Sequence, residues 1–289
     1  MQIVTDSGTD VRFTGEELEA LRVHVVPLVV TLDGQSYREG IDITHGAFYK
    51  LLADSSSLPT TSQPSAGAFA EVYRSLATTD PDILSIHISS GLSGTVGSAL
   101  AAAAMVPEAN VTVVDTKTLA AGAGWQVEAA ARAIRAGWSL DAILGLLGRI
   151  SDAVNSMYTL RELRYLIHGG RISHMKGLVA QLLNIKPVIG VEKVGGTYVQ
   201  RGQARSFDGA VGKLVDLIER EHGAGAHLRV VVAHSADPEG AESLRQAISA
   251  RFQCDWLPTR ELSLVLGAHT GPSMVAAAYA PAAVWAEVP

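Results

Sequence analysis

Asp82-Ile83-Leu84-Ser85-Ile86-His87-Ile88-Ser89-Ser90-Gly91-Leu92-Ser93-Gly94-Thr95 is the stretch that decides the fold. Half of its first eight residues are apolar, and the segment reads as a strand over Asp82–Ser89. A loop of hydroxyls and glycines follows, and a helix begins at Thr95 and runs to Met105. Strand, glycine-rich loop and helix form half of a parallel crossover unit. The pattern repeats on both sides. Val111–Asp115 is another strand, and Leu119–Ala136 another helix. Upstream, Gln2–Thr5 and Val23–Thr31 read as strands, and Ala66–Ala77 as a helix opened by Pro64-Ser65. The N-terminal half is therefore expected to be a three-layer α/β/α unit around a parallel sheet.

The texture changes after a further helix, Ser139–Ala153. Lys186–Val194 and Thr197–Arg201 flank Gly195-Gly196, the signature of a β-hairpin. Phe207–Glu221 and Pro238–Phe252 have helical spacing, and Leu228–His234 reads as a strand. Met274–Ala280 and Ala283–Ala286 are short apolar pieces expected to be strands. The fold class is thus α/β with two packed domains. Residues 1–150 form the N-terminal α/β domain and 151–289 a C-terminal α/β domain with a mixed sheet.

Composition narrows the function classes. Apolar residues make up 47% of the 289-residue chain and charged ones 18%, which suits a large core. The net charge of −6, with no basic run, argues against a nucleic-acid partner. Cys254 is the sole cysteine, so no intrachain disulfide can form, and it is expected to be a small buried residue. The start, Met1-Gln2-Ile3-Val4-Thr5-Asp6, turns polar too early for a signal peptide. No apolar run reaches the ~18 residues of a membrane span. A cytoplasmic location is the expectation.

In an open parallel sheet, ligands bind beyond the carboxyl ends of the strands. Ser89–Thr95 sits at such an end. Its glycines let the backbone approach a ligand, and free N–H groups at a helix start favour an anion. Ser93 and Thr95 add hydroxyls, although either could simply cap the helix. Thr60-Thr61-Ser62-Gln63-Pro64-Ser65 has the same character and is read as a loop before a helix. Asp6 and Asp115 end strands and could meet in space, or each could cap the turn that follows it. Gly169-Gly170-Arg171-Ile172-Ser173 is a flexible turn with one arginine, and Gly267-Ala268-His269-Thr270-Gly271-Pro272 a tight loop holding a histidine.

Several chemistries lack their motifs. Gly91-Leu92-Ser93-Gly94-Thr95 misses the last glycine of G-x-S-x-G, though His269 could still serve Ser93 as a base. The phosphate-binding P-loop motif and the dinucleotide G-x-G-x-x-G are both absent. The nine histidines are scattered, and His168 and His174, six apart, have no carboxylate cluster beside them. No metal and no cofactor are expected.

Taken in order, eight segments resemble the DegV family of bacterial lipid-binding proteins. They are Val4-Thr5-Asp6-Ser7, Val25-Val26-Pro27-Leu28, Tyr37-Arg38-Glu39-Gly40-Ile41-Asp42, Pro59–Ser65, Ser89–Thr95, Leu163–Leu166 with Gly169–Ser173, Leu183-Asn184-Ile185-Lys186-Pro187, and Gly267–Pro272. Departures from the family pattern are Ser273 after Gly271-Pro272, and Ile167-His168 before the Gly-Gly-Arg. The resemblance implies two domains enclosing a fatty-acid tunnel, with Leu178, Val179, Leu182 and Leu183 as apolar candidates for its lining. It implies no catalytic residue on this chain. A separate ATP-dependent fatty acid kinase subunit would phosphorylate the carboxylate, and the acyl phosphate would feed phospholipid synthesis. Thr61 and Ser93 would hold the carboxylate, with Ser62, Gly94, Thr95 and His269 beside it. Arg171 and Arg205 would face the kinase or the acyl phosphate. Burying ~14 methylenes at ~0.8 kcal/mol each yields about 11 kcal/mol before ordering costs, so the tail can carry the affinity. Two other readings stay open: a serine-dependent acyl-ester hydrolase using Ser93 and His269, and a lipid-responsive regulatory protein.

Overall fold

The structure, a computed structural model, describes residues 1–11, 13–172 and 185–289. The apolar candidates Leu178, Val179, Leu182 and Leu183, together with Ser173, His174 and Asn184, lie outside the described residues. The strands are β1 (Gln2–Asp6), β2 (Val23–Val26), β3 (Val29–Leu32), β4 (Gln35–Arg38), β5 (Thr60–Ser62), β6 (Asp82–His87) and β7 (Asn110–Asp115) in the first half. The second half contributes β8 (Asn155–Leu160), β9 (Lys186–Val191), β10 (Tyr198–Ala204), β11 (His227–Ser235), β12 (Gln253–Trp256), β13 (Arg260–Glu261) and β14 (Met274–Pro281).

Four strands form a parallel sheet in the order β2-β1-β6-β7. Alternation along β6 explains its two covered faces. Leu84 and Ile86 pack toward helices Ala120–Arg135 and Leu140–Ala153, while Ile83 packs toward helices Ala66–Ala77 and Thr95–Ala104. The chain leaves β1 toward one edge and β6 toward the other. Their carboxyl ends therefore border a switch point, where a crevice opens.

The second sheet is mixed, running β10-β9-β8-β14-β11-β12, with β13 also on β11. β14 is antiparallel to both β8 and β11, while β12 and β13 run parallel to β11. One face is covered by helices Phe207–His222 and Pro238–Ser249. On the other face, Val231, Ala278 and Ala280 join the apolar cluster of the Ala120–Arg135 helix. That helix is thus packed between the two sheets, which explains its eleven buried residues, Trp125 among them.

Several expectations need correction. Val23–Thr31 is not one strand. Pro27 has no N–H to continue the ladder, so β2 ends at Val26 and β3 starts a small antiparallel sheet, β4-β3-β5. Thr60–Ser62 is a strand of that sheet rather than a loop, with Thr61 opposite Val30. Ala283–Ala286 is not a strand, because the chain winds into a 3₁₀ helix over Ala282–Glu287 after Pro281. Its Trp285 ring stacks edge-on against Trp125 at 5.2 Å. Cys254 is half-buried on β12, not fully buried.

Candidate functional site

The loop after β6 is held from both sides. Ser89 Oγ donates to Gly196 O at 2.8 Å, in the turn between β9 and β10. A Cβ on Gly91 would stand 2.2 Å from Gly195 O, so only glycine permits this approach. Ser90 N donates to Asp115 Oδ1 at 3.2 Å. Asp6 Oδ1 accepts from Gly8 N at 3.0 Å. Asp6 and Asp115 both act as caps of the turns beyond their strands, and no hydrogen bond joins the two.

Beyond the loop, Thr95 begins its helix and is fully buried. Gly94 occupies the cap position and supplies no side-chain bond. Ser93 Oγ instead accepts from Thr95 N at 3.3 Å and meets Thr95 Oγ1 at 2.8 Å. Gly94 also makes room for Gln63, since a Cβ there would lie 2.7 Å from its Nε2. Ser65 caps the Ala66–Ala77 helix by accepting from Ala68 N at 3.1 Å, the ordinary structural role.

His269 lies on a helix, Leu264–Thr270, not in a tight loop. Two glycines near it suggested a loop, but only Gly271, at φ 72°, ends the helix. Gly267 is there for space, because the Tyr49 hydroxyl occupies the position a Cβ would need. The helix start is tied down by Glu39, whose buried carboxylate accepts from Ser263 Oγ at 2.9 Å, Ser7 Oγ at 2.6 Å and Leu264 N. Burial dominates over these donors and pushes the Glu39 carboxyl up to about 7.

The predicted contacts come together from three elements. Thr61 Oγ1 and His269 Nε2 are 2.7 Å apart. Thr61, Ser62, Gln63, Ser93, Arg171 and His269 line one cavity, together with apolar residues such as Leu28, Ile88 and Leu92. His269 is 8% exposed, and its Nδ1 has no partner among the described residues. Burial first, then the nearby charge of Arg171, lowers His269 to about 4, so its ring is neutral at pH 7. Arg171 Nη1 donates to Gly169 O at 2.6 Å, which fixes the guanidinium in the cavity wall. Arg205 is exposed, one residue past β10 and apart from this cavity.

A second, apolar cavity adjoins the first. Leu119, Tyr198 and Leu266 line both. The sequence reading missed this wall, including Tyr158, Tyr198, Ala276 and Ala278. One signal was available. In β14, Ala276 and Ala278 fall on one face, and small side chains on a core-facing strand leave space. Ser93 and His269 share no hydrogen bond, since the His269 Nε2 position is taken by Thr61. Among the described residues, no His, Cys, Asp or Glu cluster could hold a metal, and no helix is long and apolar enough to cross a membrane.

Comparison with known proteins bears on this site. The sequence model of the DegV family, described as uncharacterised protein, matches residues 1–282. A DegV domain-containing protein of Staphylococcus aureus is 34% identical over 273 residues, covering 94% of this chain and 96% of its own. A DegV family protein of Thermus thermophilus, described by its fatty acid binding, superimposes with a TM-score of 0.87 at 33% identity. The match covers 97% of this chain and 99% of that one. DegV of Bacillus subtilis, described as a fatty acid binding protein, gives a TM-score of 0.86 at 28% identity, covering 96% and 98%.

Proposed function

The chain belongs to the DegV family, and from that premise we propose that it binds a long-chain fatty acid and presents the carboxylate to a separate ATP-dependent kinase subunit. The observation that carries this reading is the shared wall of the two cavities. Leu119, Tyr198 and Leu266 join an apolar chamber to one that carries Thr61, Ser93 and Arg171. The two linings suit an amphiphile with an anionic head and an apolar tail. The fatty acid binding described for similar proteins of Thermus thermophilus and Bacillus subtilis supports the same ligand class.

The head group needs several donors if it is buried as a carboxylate. A neutral His269 supplies one indirectly. Assigned from the network, its proton sits on Nε2 and is donated to Thr61 Oγ1, leaving the unpartnered Nδ1 as a lone pair. The Thr61 hydroxyl proton is then free to point at the ligand. The Ser93 hydroxyl and the charge of Arg171 complete the set. Arg171 thus bears on the head group as well as on an approaching partner, while exposed Arg205 is left for the partner face alone. No group here is a nucleophile, and the attacking atom is the ligand's own carboxylate oxygen. ATP is held by the partner and the chain carries no cofactor of its own. The reading takes residues 1–150 and 151–289 as the two domains, working in the cytoplasm.

Thr61→Val and Ser93→Ala test the assignment. Each removes one head-group hydroxyl bond, so oleic acid affinity should fall less than about tenfold, because the tail carries most of it. Acyl-phosphate formation with a cognate kinase subunit should fall much further. Wild-type phosphorylation rates in both variants would sink the head-group assignment.

A further inference from the structure

Strand β8 turns Ser156 and Tyr158 to one face, and both side chains line the apolar cavity. The Ser156 and Tyr158 hydroxyl oxygens are buried, and neither has a hydrogen-bond partner among the described residues. Tyr158 is 7% exposed. Its ring packs edge-on against Tyr198 at 5.5 Å, and the Tyr198 phenol lies close to its hydroxyl. Burial keeps the Tyr158 phenol protonated far above its usual range, so it is a permanent donor. Thr270, another hydroxyl of this wall, is by contrast satisfied by Leu266 O at 3.2 Å and Ser235 Oγ at 3.3 Å.

Buried hydroxyls are ordinarily paired, and an exception in a binding cavity points to what the cavity holds. A plain hydrocarbon tail would cover both hydroxyls and satisfy neither. We propose that this cavity is built for an oxygenated acyl chain: a long-chain fatty acid carrying a hydroxyl within its hydrocarbon part, received by Tyr158 and Ser156. The inference rests on the fatty-acid reading above and names the substrate class within it. Tyr158 stands beside Tyr198, which borders both cavities, and is therefore the station nearer the carboxylate. Ser156, two residues along the strand, lies roughly 7 Å further in. Its Oγ approaches Gly122, where a Cβ would stand 3.0 Å away, so the far wall is kept bare at the same place.

The test titrates lipid-stripped full-length protein with stearic acid and with monohydroxystearic acids substituted at different carbons. At least one hydroxy isomer should bind about fivefold or more tightly than stearic acid, the worth of one net buried hydrogen bond. Tyr158→Phe and Ser156→Ala should each reduce that preference, and the double variant should abolish it. Both changes conserve shape, and a urea midpoint close to that of the wild type reports a folded protein. Equal affinity of the wild type for all the acids overturns the inference and leaves the fatty-acid reading standing. So does a preference that survives in the double variant. Failure of every acid to bind overturns the reading and the inference together.

Discussion

Two buried histidines sit within one fold and do opposite things. His87, on β6, is fully buried and bonded at both nitrogens: Nδ1 to Asp6 Oδ2 at 3.0 Å and Nε2 to Ser85 Oγ at 2.7 Å. Ser85 passes the chain on to the Tyr73 hydroxyl at 2.7 Å. The result has the residue types of a Ser-His-Asp triad, yet Phe69 covers the ring at 4.9 Å and the group lines neither site cavity. His269 has one bonded nitrogen, one without a partner among the described residues, and a cavity in front of it. The lesson is that saturation marks structure and an unfilled valence beside a cavity marks a site. A search for the residue types of a triad would stop at His87, which is sealed.

Removing Asp6 should break the comparison most severely. Asp6→Ala strands His87 Nδ1 and the N–H groups of Gly8 and Ile88, all buried. A loss of about 3–5 kcal/mol is expected, read as a lower urea midpoint. A shift under about 1 kcal/mol would show the relay to be dispensable.

Acid titration should separate the site from the scaffold next. Glu39 has its carboxyl raised in the fold from 4.5 to about 7, so the folded state holds a proton that the unfolded chain releases. Its contribution is full below pH 4.5 and is lost as pH rises through 7. His269 is lowered from 6.5 to about 4, so its contribution is full above pH 6.5 and is lost as pH falls through 4. The slopes oppose each other between these values, each worth about 3 kcal/mol at most. In lipid-stripped protein, Glu39→Gln should therefore lose stability on acidification from pH 6.5 to 4.5, and His269→Gln should gain it. Parallel stability curves for the two variants would contradict both assignments.

The smallest change tests how tightly His269 is placed. A Cβ on Gly169 would fall 2.2 Å from His269 Nδ1. Gly169→Ala should cost about 1–3 kcal/mol through strain and loosen the Thr61–His269 contact. Fatty acid exchange measured by displacement of a fluorescent analogue should quicken. Unchanged exchange would mean that the ring relaxes freely.

Much of the fold was legible because sequence periodicity is local. The helix Ala66–Ala77 and strand β6 follow from apolar spacing and their flanking caps. Pro27 was equally visible, and reading through it merged β2 with β3. The small β4-β3-β5 sheet was harder, since β5 has only three residues and all three are polar. Its strand form exists only because Val29–Thr31 lies alongside. At the site, Thr61, Ser93 and His269 stood out as hydroxyls and a histidine among glycines. Tyr158, Ser156 and the alanine face of β14 did not, because nothing in their local sequence says that two strands turn them to a common cavity.

The sequence by itself determined the parallel crossover start, the later mixed strands and the polar loop after β6, since these depend on neighbours a few residues apart. Only the tertiary structure decided that Thr61 meets His269 across 208 positions. It alone decided that Arg171 lines the cavity and that His87 is sealed while His269 is not. Those outcomes depend on which groups lose water together, and burial is a property of the packed chain, not of any segment in it.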